Sequence, residues 1–510
     1  MYRIERNKKV TAFRICFVSL INRKQELTKI LFFKTKKMKQ FFIVAFSIAV
    51  LFSHAQRTSL SPLPSKQQLA WHETEFYLFV HFGPNTFTDK EWGEGQEPED
   101  IFNPSQLDCR QWCRIAKAAG AKGIIITAKH HDGFCLWPSK FSKHTVKESK
   151  WRDGKGDVLK ELSTACKEAG LKFGVYISPW DRNHPDYGTE KYNDVFVGMM
   201  KEIIRNYGPV WELWWDGANG EGPNGKKQVY DWRRFENTVR QFSPRTVVFS
   251  DIGPDIRWVG NEKGIAGNPN WNFLDTVGFK RGLGSPAMDT LNQGNYHGKQ
   301  WIPAECDVSI RPGWFYHSNE DNNVKSPGEL FDLYLKSVGR GASLLLNVPP
   351  DRRGLINEND SAALMGFKEI KKESFANNLL KQADTYYEFS QKDFSQKPLV
   401  IRSVNAVPSA YGINLQNFIA EMKQPVKINC IVLREAIHLG QSIRRFSIIF
   451  YNENKVAIGE IKGTSVGRKR ILTFPAITIT SFRVYLDDAE GNDNISGIAA
   501  YLIDEKLIEH

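Results

Sequence analysis

A chain of 510 residues with 41% hydrophobic and 25% charged residues is long enough for more than one buried core, and its balance is that of a globular protein. The net charge of +12 would suit a nucleic-acid or membrane partner, but residues 1–56 carry twelve Lys/Arg against Glu5 and Glu26, which is ten of those twelve charges. The remainder is close to neutral, so no nucleic acid is expected on the folded part.

Along the chain, Lys36-Lys37-Met38-Lys39 is a basic stretch, Phe41–Phe52 is apolar apart from Ser47, and Ser53-His54-Ala55 ends in a small residue. That order is expected of a signal peptide over 38–55. Met38 is then the better start, and residues 1–37 read as an over-long N-terminal extension. The apolar run is shorter than the roughly 20 residues a spanning helix needs. The expectation is an exported protein, periplasmic or secreted, with no membrane insertion of the mature chain. Cys16 falls in this leader. The other cysteines (Cys109, Cys113, Cys135, Cys166, Cys306, Cys430) are scattered and suggest no disulfide framework. The four-residue step from Cys109 to Cys113 does not make a zinc site, so no metal is expected there. Buried small hydrophobes are the simpler role.

Over 56–375, apolar β-rich runs alternate with amphipathic stretches. Strands are predicted at Phe76–Gly83, Gly123–His131, Leu171–Trp180, Val210–Gly217, Thr246–Gly253, Ile302–Ile310 and Ala342–Pro350. Helices are predicted between several of them, at Cys109–Ala121, Val158–Gly170, Lys191–Tyr207, Tyr230–Phe242 and Gly328–Gly339. Near-continuous apolar strands with intervening helices imply a parallel sheet covered on both faces. The repeat count favours an α/β fold, a TIM-like (β/α) barrel of seven or eight strands. The eighth strand has no clear position, and residues 254–300 read as irregular. From 376 to 510 helical periodicity fades, and short β-rich runs from Pro398–Val404 to Ser481–Leu486 predict a C-terminal all-β sandwich.

The predicted barrel strands end in polar groups: His81, His130-His131, Tyr176, Asp216, Asp251, then Glu305 and Asp307. Barrel active sites are built at the C-terminal ends of strands, so these residues outline a site. In Trp211-Glu212-Leu213-Trp214-Trp215-Asp216-Gly217, alternation puts Trp214 and Asp216 on one face and Trp215 on the other. Asp216 could equally cap the following helix. In Lys129-His130-His131-Asp132-Gly133-Phe134, neighbouring strand residues point apart, so the histidines suit a polyhydroxy ligand better than one shared metal.

Phe79-Val80-His81-Phe82-Gly83, the Lys129–Phe134 block and Leu213-Trp214-Trp215-Asp216-Gly217 resemble the signature blocks of family 29 glycoside hydrolases, the retaining α-L-fucosidases. Leu344-Leu345-Leu346-Asn347-Val348-Pro349-Pro350 is similar to the block that closes their barrel, and the resemblance spans roughly 60–375. It implies Asp216 as the nucleophile, and His81, His130, His131, Tyr176 and Trp214 as fucose contacts, with Glu91 and Trp314 as further contacts. A retaining glycosidase needs a second carboxyl about 5–5.5 Å from the first. Glu221, Asp255, Glu262, Glu305 and Asp307 are candidates. Glu262 is chosen because Trp258-Val259-Gly260-Asn261-Glu262-Lys263-Gly264 is a glycine-flanked loop, read as following the fifth strand. It also resembles the acid/base loop of the subgroup selective for α-1,3 and α-1,4 linkages. Lys263 is expected to face solvent, and Arg257 either to hold a carboxylate or to lie on the surface. The resemblance implies a fucosylated oligosaccharide or glycoconjugate as substrate and no cofactor. Two other readings stay open: the same scaffold with α-1,2 or another fucoside specificity, and a non-catalytic fucose-binding protein.

Overall fold

A computed structural model describes residues 62–282, 284–390, 400–401, 414–489 and 495–508. The expected extension 1–37 and signal peptide 38–55 lie outside the described residues, as does most of the expected strand 398–404. Eight strands close a barrel: β1 (Phe76–Val80), β2 (Gly123–Lys129), β3 (Lys172–Ile177), β4 (Glu212–Trp214), β5 (Val247–Ser250), β6 (Ile256–Trp258), β7 (Ala304–Ser309) and β8 (Ser343–Asn347). Every neighbouring pair is parallel, and β8 closes on β1 through Phe76 opposite Leu344. The strand that sequence reading did not place is Ile256–Trp258, inside the stretch expected to be irregular. Residues 251–255 alone join it to β5. No helix separates the two strands, so the β/α alternation that reveals the others is missing there.

The strands alternate between two cores. Tyr77, Phe79, Ile125, Trp214, Phe249 and Leu345 fill the barrel interior. Their neighbours Leu78, Val80, Ile124, Leu213 and Leu344 face the outer helices. That two-sided burial is why the runs read as continuous apolar stretches. The outer layer includes α1 (Lys66–His72), α2 (Cys109–Ala118), α3 (Val158–Ala169), α4 (Lys191–Tyr207), α5 (Trp232–Phe242), α6 (Pro327–Lys336) and α7 (Glu358–Ser374). Their ends follow local chemistry: Asp108, Asp157 and Asp231 cap α2, α3 and α5, and Ser326 with Glu329 forms a capping box on α6. From α1, Trp71 reaches into the interior cluster. No helix among the described residues is long and apolar enough to cross a membrane.

The C-terminal residues form the expected all-β unit, a seven-stranded antiparallel sheet. It comprises β9 (Ala383–Ser390), the short Val400–Ile401, β10 (Asn414–Glu435), β11 (Ile443–Tyr451), β12 (Ala457–Gly463), β13 (Arg470–Ala489) and β14 (Ile495–Tyr501). Register shifts between Glu421 and Val426 and between Ile428 and Cys430 interrupt β10, and the strands enclose a core around Phe418, Phe446, Ile448, Phe450 and Phe482. The sheet meets the barrel through Lys469, which pairs with Glu75, and through Gln441, whose Oε1 accepts from the Asn272 backbone at 2.9 Å.

Arg257 corrects an expectation, for it neither holds a carboxylate nor lies on the surface. It is fully buried, donating to the carbonyls of Leu291 (2.8 Å) and Ile302 and to Asn270 Oδ1 (3.0 Å). Burial pulls its pKa down to about 9. Its guanidinium pins the long excursion between β6 and β7, a role that depends on residues more than ten positions away in sequence.

Candidate active site

At the C-terminal ends of the strands lies a cavity of about 150 Å³. His81, Glu91, His130, His131, Tyr176, Trp214, Asp216, Glu262 and Trp314, all singled out from the sequence, line it together. Phe79, Trp92, Ala218 and Asp307 complete the wall. Trp92 went unassigned in sequence, although it follows Glu91 directly. It is 54% exposed, and its ring stands edge-on to His131 (5.4 Å) and Trp180 (5.5 Å). An indole that exposed gains little by burial in the free protein, and its place in the cavity wall leaves its face open to a ligand.

Asp216 lies two residues beyond the end of β4. Trp214 points inward as alternation requires, stacked on Phe249 (3.9 Å, 12°) and Tyr176 (5.2 Å, 30°), while Trp215 is buried in the outer core. The next helix, α5, is capped by Asp231. Asp216 is therefore free for the cavity. Its Oδ1 accepts from the Ala218 backbone at 2.7 Å, and its Oδ2 accepts from the Tyr176 hydroxyl at 2.9 Å. His131 Nε2 lies 3.8 Å from the same Oδ2. Asp251, another strand-end acid, instead accepts from the Ile252 and Gly282 backbones and does not line the cavity.

The three histidines are neutral bases. Burial lowers His81 to about 3 and His131 to about 4, and pushes His130 well below the ordinary imidazole value. His81 Nδ1 meets Asn347 Oδ1 at 2.9 Å, and a carboxamide oxygen only accepts, so this nitrogen carries the proton. His131 Nδ1 meets Ser178 Oγ at 2.7 Å, and that hydroxyl donates to the Trp180 carbonyl. Both rings thus keep Nε2 as a free acceptor for a ligand hydroxyl. His130 Nδ1 is buried with no partner, a polar atom that a ligand could satisfy. Beneath them Lys129 and Asp181 form a fully buried ion pair at 3.2 Å. Gly133 allows this approach: its φ is +87°, and a Cβ there would lie 2.4 Å from Asp181 Oδ1.

On the opposite wall, the loop bearing Glu262 follows β6, not β5 as read from sequence. Glu262 is exposed, and its Oε2 accepts from Trp314 Nε1 at 3.3 Å. Lys263 is also exposed. Glu91 accepts from the backbones of Trp314 (2.8 Å) and Phe315 (3.2 Å) and touches His317 Nε2 at 2.7 Å. Gly313 leaves the room for this, since a Cβ there would lie 2.6 Å from Glu91 Oε1. Glu91 lines the cavity and at the same time fixes Trp314.

Of the other acids considered, only Asp307 reaches the cavity. Glu221 is exposed outside it, and Asp255 is held by Arg240 at 2.7 and 2.8 Å. Glu305 lies deeper, accepting from Trp214 Nε1 at 2.8 Å and from the Tyr77 hydroxyl. Burial raises Glu305 to about 7 despite these donors, and it raises neighbouring Glu212 well above the carboxylate range, helped by the charge of Glu305. Among the described residues, no group of three or more His, Cys, Asp or Glu could hold a metal ion.

The sequence matches the family described as Alpha-L-fucosidase over residues 64–369. Alpha-L-fucosidase 1 of Arabidopsis thaliana is 41% identical over 461 residues, covering 86% of this chain and 88% of the plant protein. A glycoside hydrolase 29 family member from an unknown rumen bacterium superposes with a TM-score of 0.76 at 37% identity, over 87% of this chain and 78% of that one. A Ruminococcus gnavus GH29 fucosidase solved in complex with fucose gives 0.75 at 27% identity, over 89% of this chain and 99% of its own.

Proposed function

The chain belongs to the alpha-L-fucosidase family of glycoside hydrolases, and from that premise we propose an exported retaining exo-α-L-fucosidase acting on terminal α-1,3- and α-1,4-linked fucose. Asp216 attacks the anomeric carbon while Glu262 donates its proton to the departing oxygen, giving a covalent fucosyl-enzyme. Glu262 then takes a proton from water, and fucose leaves with its configuration retained. The Nε2 atoms of His81 and His131 accept from ring hydroxyls, Tyr176 orients Asp216, and Trp92 covers the sugar.

The observation that supports this reading is that two carboxyls, Asp216 and Glu262, line one cavity of about 150 Å³. Asp216 is oriented by Tyr176, and Glu262, held by Trp314 Nε1, lines the same cavity from the loop after β6. The linkage preference is supported by the 258–264 loop sequence and by the exposure of Glu262, which leaves the leaving-group side open to a branched glycan. Export is supported by the basic and apolar order of residues 36–55.

Proton NMR of the first product formed from an aryl α-L-fucoside tests the mechanism. Retention yields α-fucose before mutarotation, and β-fucose appearing first would overturn it. Lewis-type trisaccharides compared with a 2'-fucosylated one test the linkage, and equal or better cleavage of the α-1,2 bond refutes the preference.

A further inference from the structure

Besides Asp216, Glu262 and Glu91, which fixes Trp314, the cavity holds a fourth carboxyl that the mechanism above leaves idle. Along β7, Glu305 and Asp307 both face the barrel interior, because alternate residues of a strand share a face. The deeper of the two, Glu305, has its oxygens engaged by Trp214 and Tyr77. Asp307 stands one level higher, at the cavity wall, and is 4% exposed. Its Oδ1 accepts from Trp258 Nε1 at 3.0 Å, and that indole comes from β6, the strand leading to the Glu262 loop. Among the described residues no cation pairs with Asp307. Burial raises its pKa well above the carboxylate range, and the charges of Glu262 and Glu305 add to the effect.

A carboxyl in that setting holds its proton at neutral pH. With Oδ1 already accepting, the hydroxyl sits on Oδ2. A neutral acid of this kind is a hydrogen-bond donor, and leaving such a donor without an acceptor in a closed complex is unfavourable. His130, His131 and Tyr176 stand at the ends of β2 and β3, towards Asp216, while His81 at the end of β1 lies two strands from β7 with its ring 5.1 Å from that of Trp314. Asp307 stands on the β6–β7 side with Glu262, where the departing sugar must lie.

We propose that Asp307 is a specificity-determining residue whose carboxyl, from the wall beside Glu262, donates a hydrogen bond to an oxygen of the sugar that leaves. This rests on the fucosidase reading of the cavity. The ligand chemistry is a hydroxyl- or ring-oxygen-bearing hexose linked to fucose, which an aryl aglycone lacks. No proton is transferred, so a carboxamide, which keeps the shape, an acceptor and a donor, can replace the acid.

The test compares the parent with Asp307→Asn and Asp307→Ala on an aryl α-L-fucoside and on a 3-fucosylated trisaccharide. The readout is the ratio of kcat/KM on the trisaccharide to kcat/KM on the aryl fucoside, with the pH profile of each variant. The expected result is a ratio lowered about tenfold in Asp307→Ala and kept within about threefold in Asp307→Asn, with an unchanged pH profile in the latter. Circular dichroism and the urea-unfolding midpoint of each variant report that it is folded. An unmoved ratio in Asp307→Ala overturns the inference while leaving the fucosidase reading intact. So does an Asp307→Asn variant with a displaced pH profile and azide-restored aryl turnover, which would make Asp307 a proton-transferring group. A parent inactive on both substrates sinks the fucosidase reading and this inference with it.

Discussion

Replacing Glu212 by glutamine is expected to leave the barrel almost as stable as the parent at pH 7, whereas alanine at the same position is strongly destabilising. Glu212 is fully buried at the start of β4, and its Oε2 accepts from Trp71 Nε1 at 3.1 Å. Burial, the charge of Glu305 and a hydrogen bond to Glu305 all raise its pKa, so it is the protonated member of the pair and donates to Glu305. A carboxamide reproduces both contacts, the carbonyl for Trp71 and an N–H for Glu305, so the change is expected to stay within about 1 kcal/mol. Alanine strands the Trp71 N–H, at about 1–3 kcal/mol, and removes one donor from Glu305, at about 1.5–3 kcal/mol. Together these give roughly 2.5–6 kcal/mol, with part of any void filled by relaxation. Urea unfolding followed by tryptophan fluorescence at pH 7 reads the difference as shifts in midpoint. If glutamine destabilises as much as alanine, Glu212 is ionised in the folded barrel and the reasoning fails. A loss below about 1 kcal/mol for alanine refutes it from the other side. Because Glu305 also holds Trp214 beneath Asp216, the alanine variant is expected to lose catalytic efficiency as well as stability.

Asp216→Gly is expected to lower aryl-fucoside turnover by about 10⁴-fold or more, with partial recovery in azide, and turnover close to the parent's would sink its role as nucleophile. Gly133→Ala forces a side chain into a positive-φ position against Asp181 and breaks the buried pair with Lys129, for a predicted loss of about 3–5 kcal/mol; an unfolding midpoint near the parent's would refute it. His81 and His131, lowered to about 3 and 4, keep their Nε2 lone pairs unprotonated down to pH 5, so inhibition by free L-fucose is expected to be flat from pH 7.5 to 5. A loss of affinity centred near pH 6.5 would show ordinary imidazoles. The same depressed values mean that these histidines' share of stability is full above about pH 6.5 and is lost as the pH falls towards 3–4, because the unfolded chain binds protons that the buried rings refuse. Trp92→Ala is expected to raise KM about tenfold with stability changed by no more than about 0.5 kcal/mol, since the ring is mostly in solvent; a large stability loss would make Trp92 structural.

The barrel was legible because its strands are buried on both faces and its helices carry their own caps, such as Asp157 with Gly170 and Ser326 with Glu329. Local rules of that kind act over a few residues, and the sequence displays them directly. Strand β6 was not legible, since three residues joined to β5 by a short turn have no period of their own. Its existence is decided by register, with Phe249 opposite Ile256 and Trp258 opposite Glu305.

By itself, the sequence determined which residues could do chemistry here. Strand-end His81, His130, His131 and Asp216 follow from where apolar runs stop, and their inward direction follows from alternation. Only the tertiary structure decided their chemical states and partners. It turned Arg257 from a carboxylate ligand or surface residue into a buried strut, drew Glu305 beneath the cavity, and brought Asp307 into the wall with Glu262. It also left Trp92 bare at the rim. Protonation and access depend on burial and on the charges of groups far away in sequence, and those quantities exist only once eight strands have closed around a common interior.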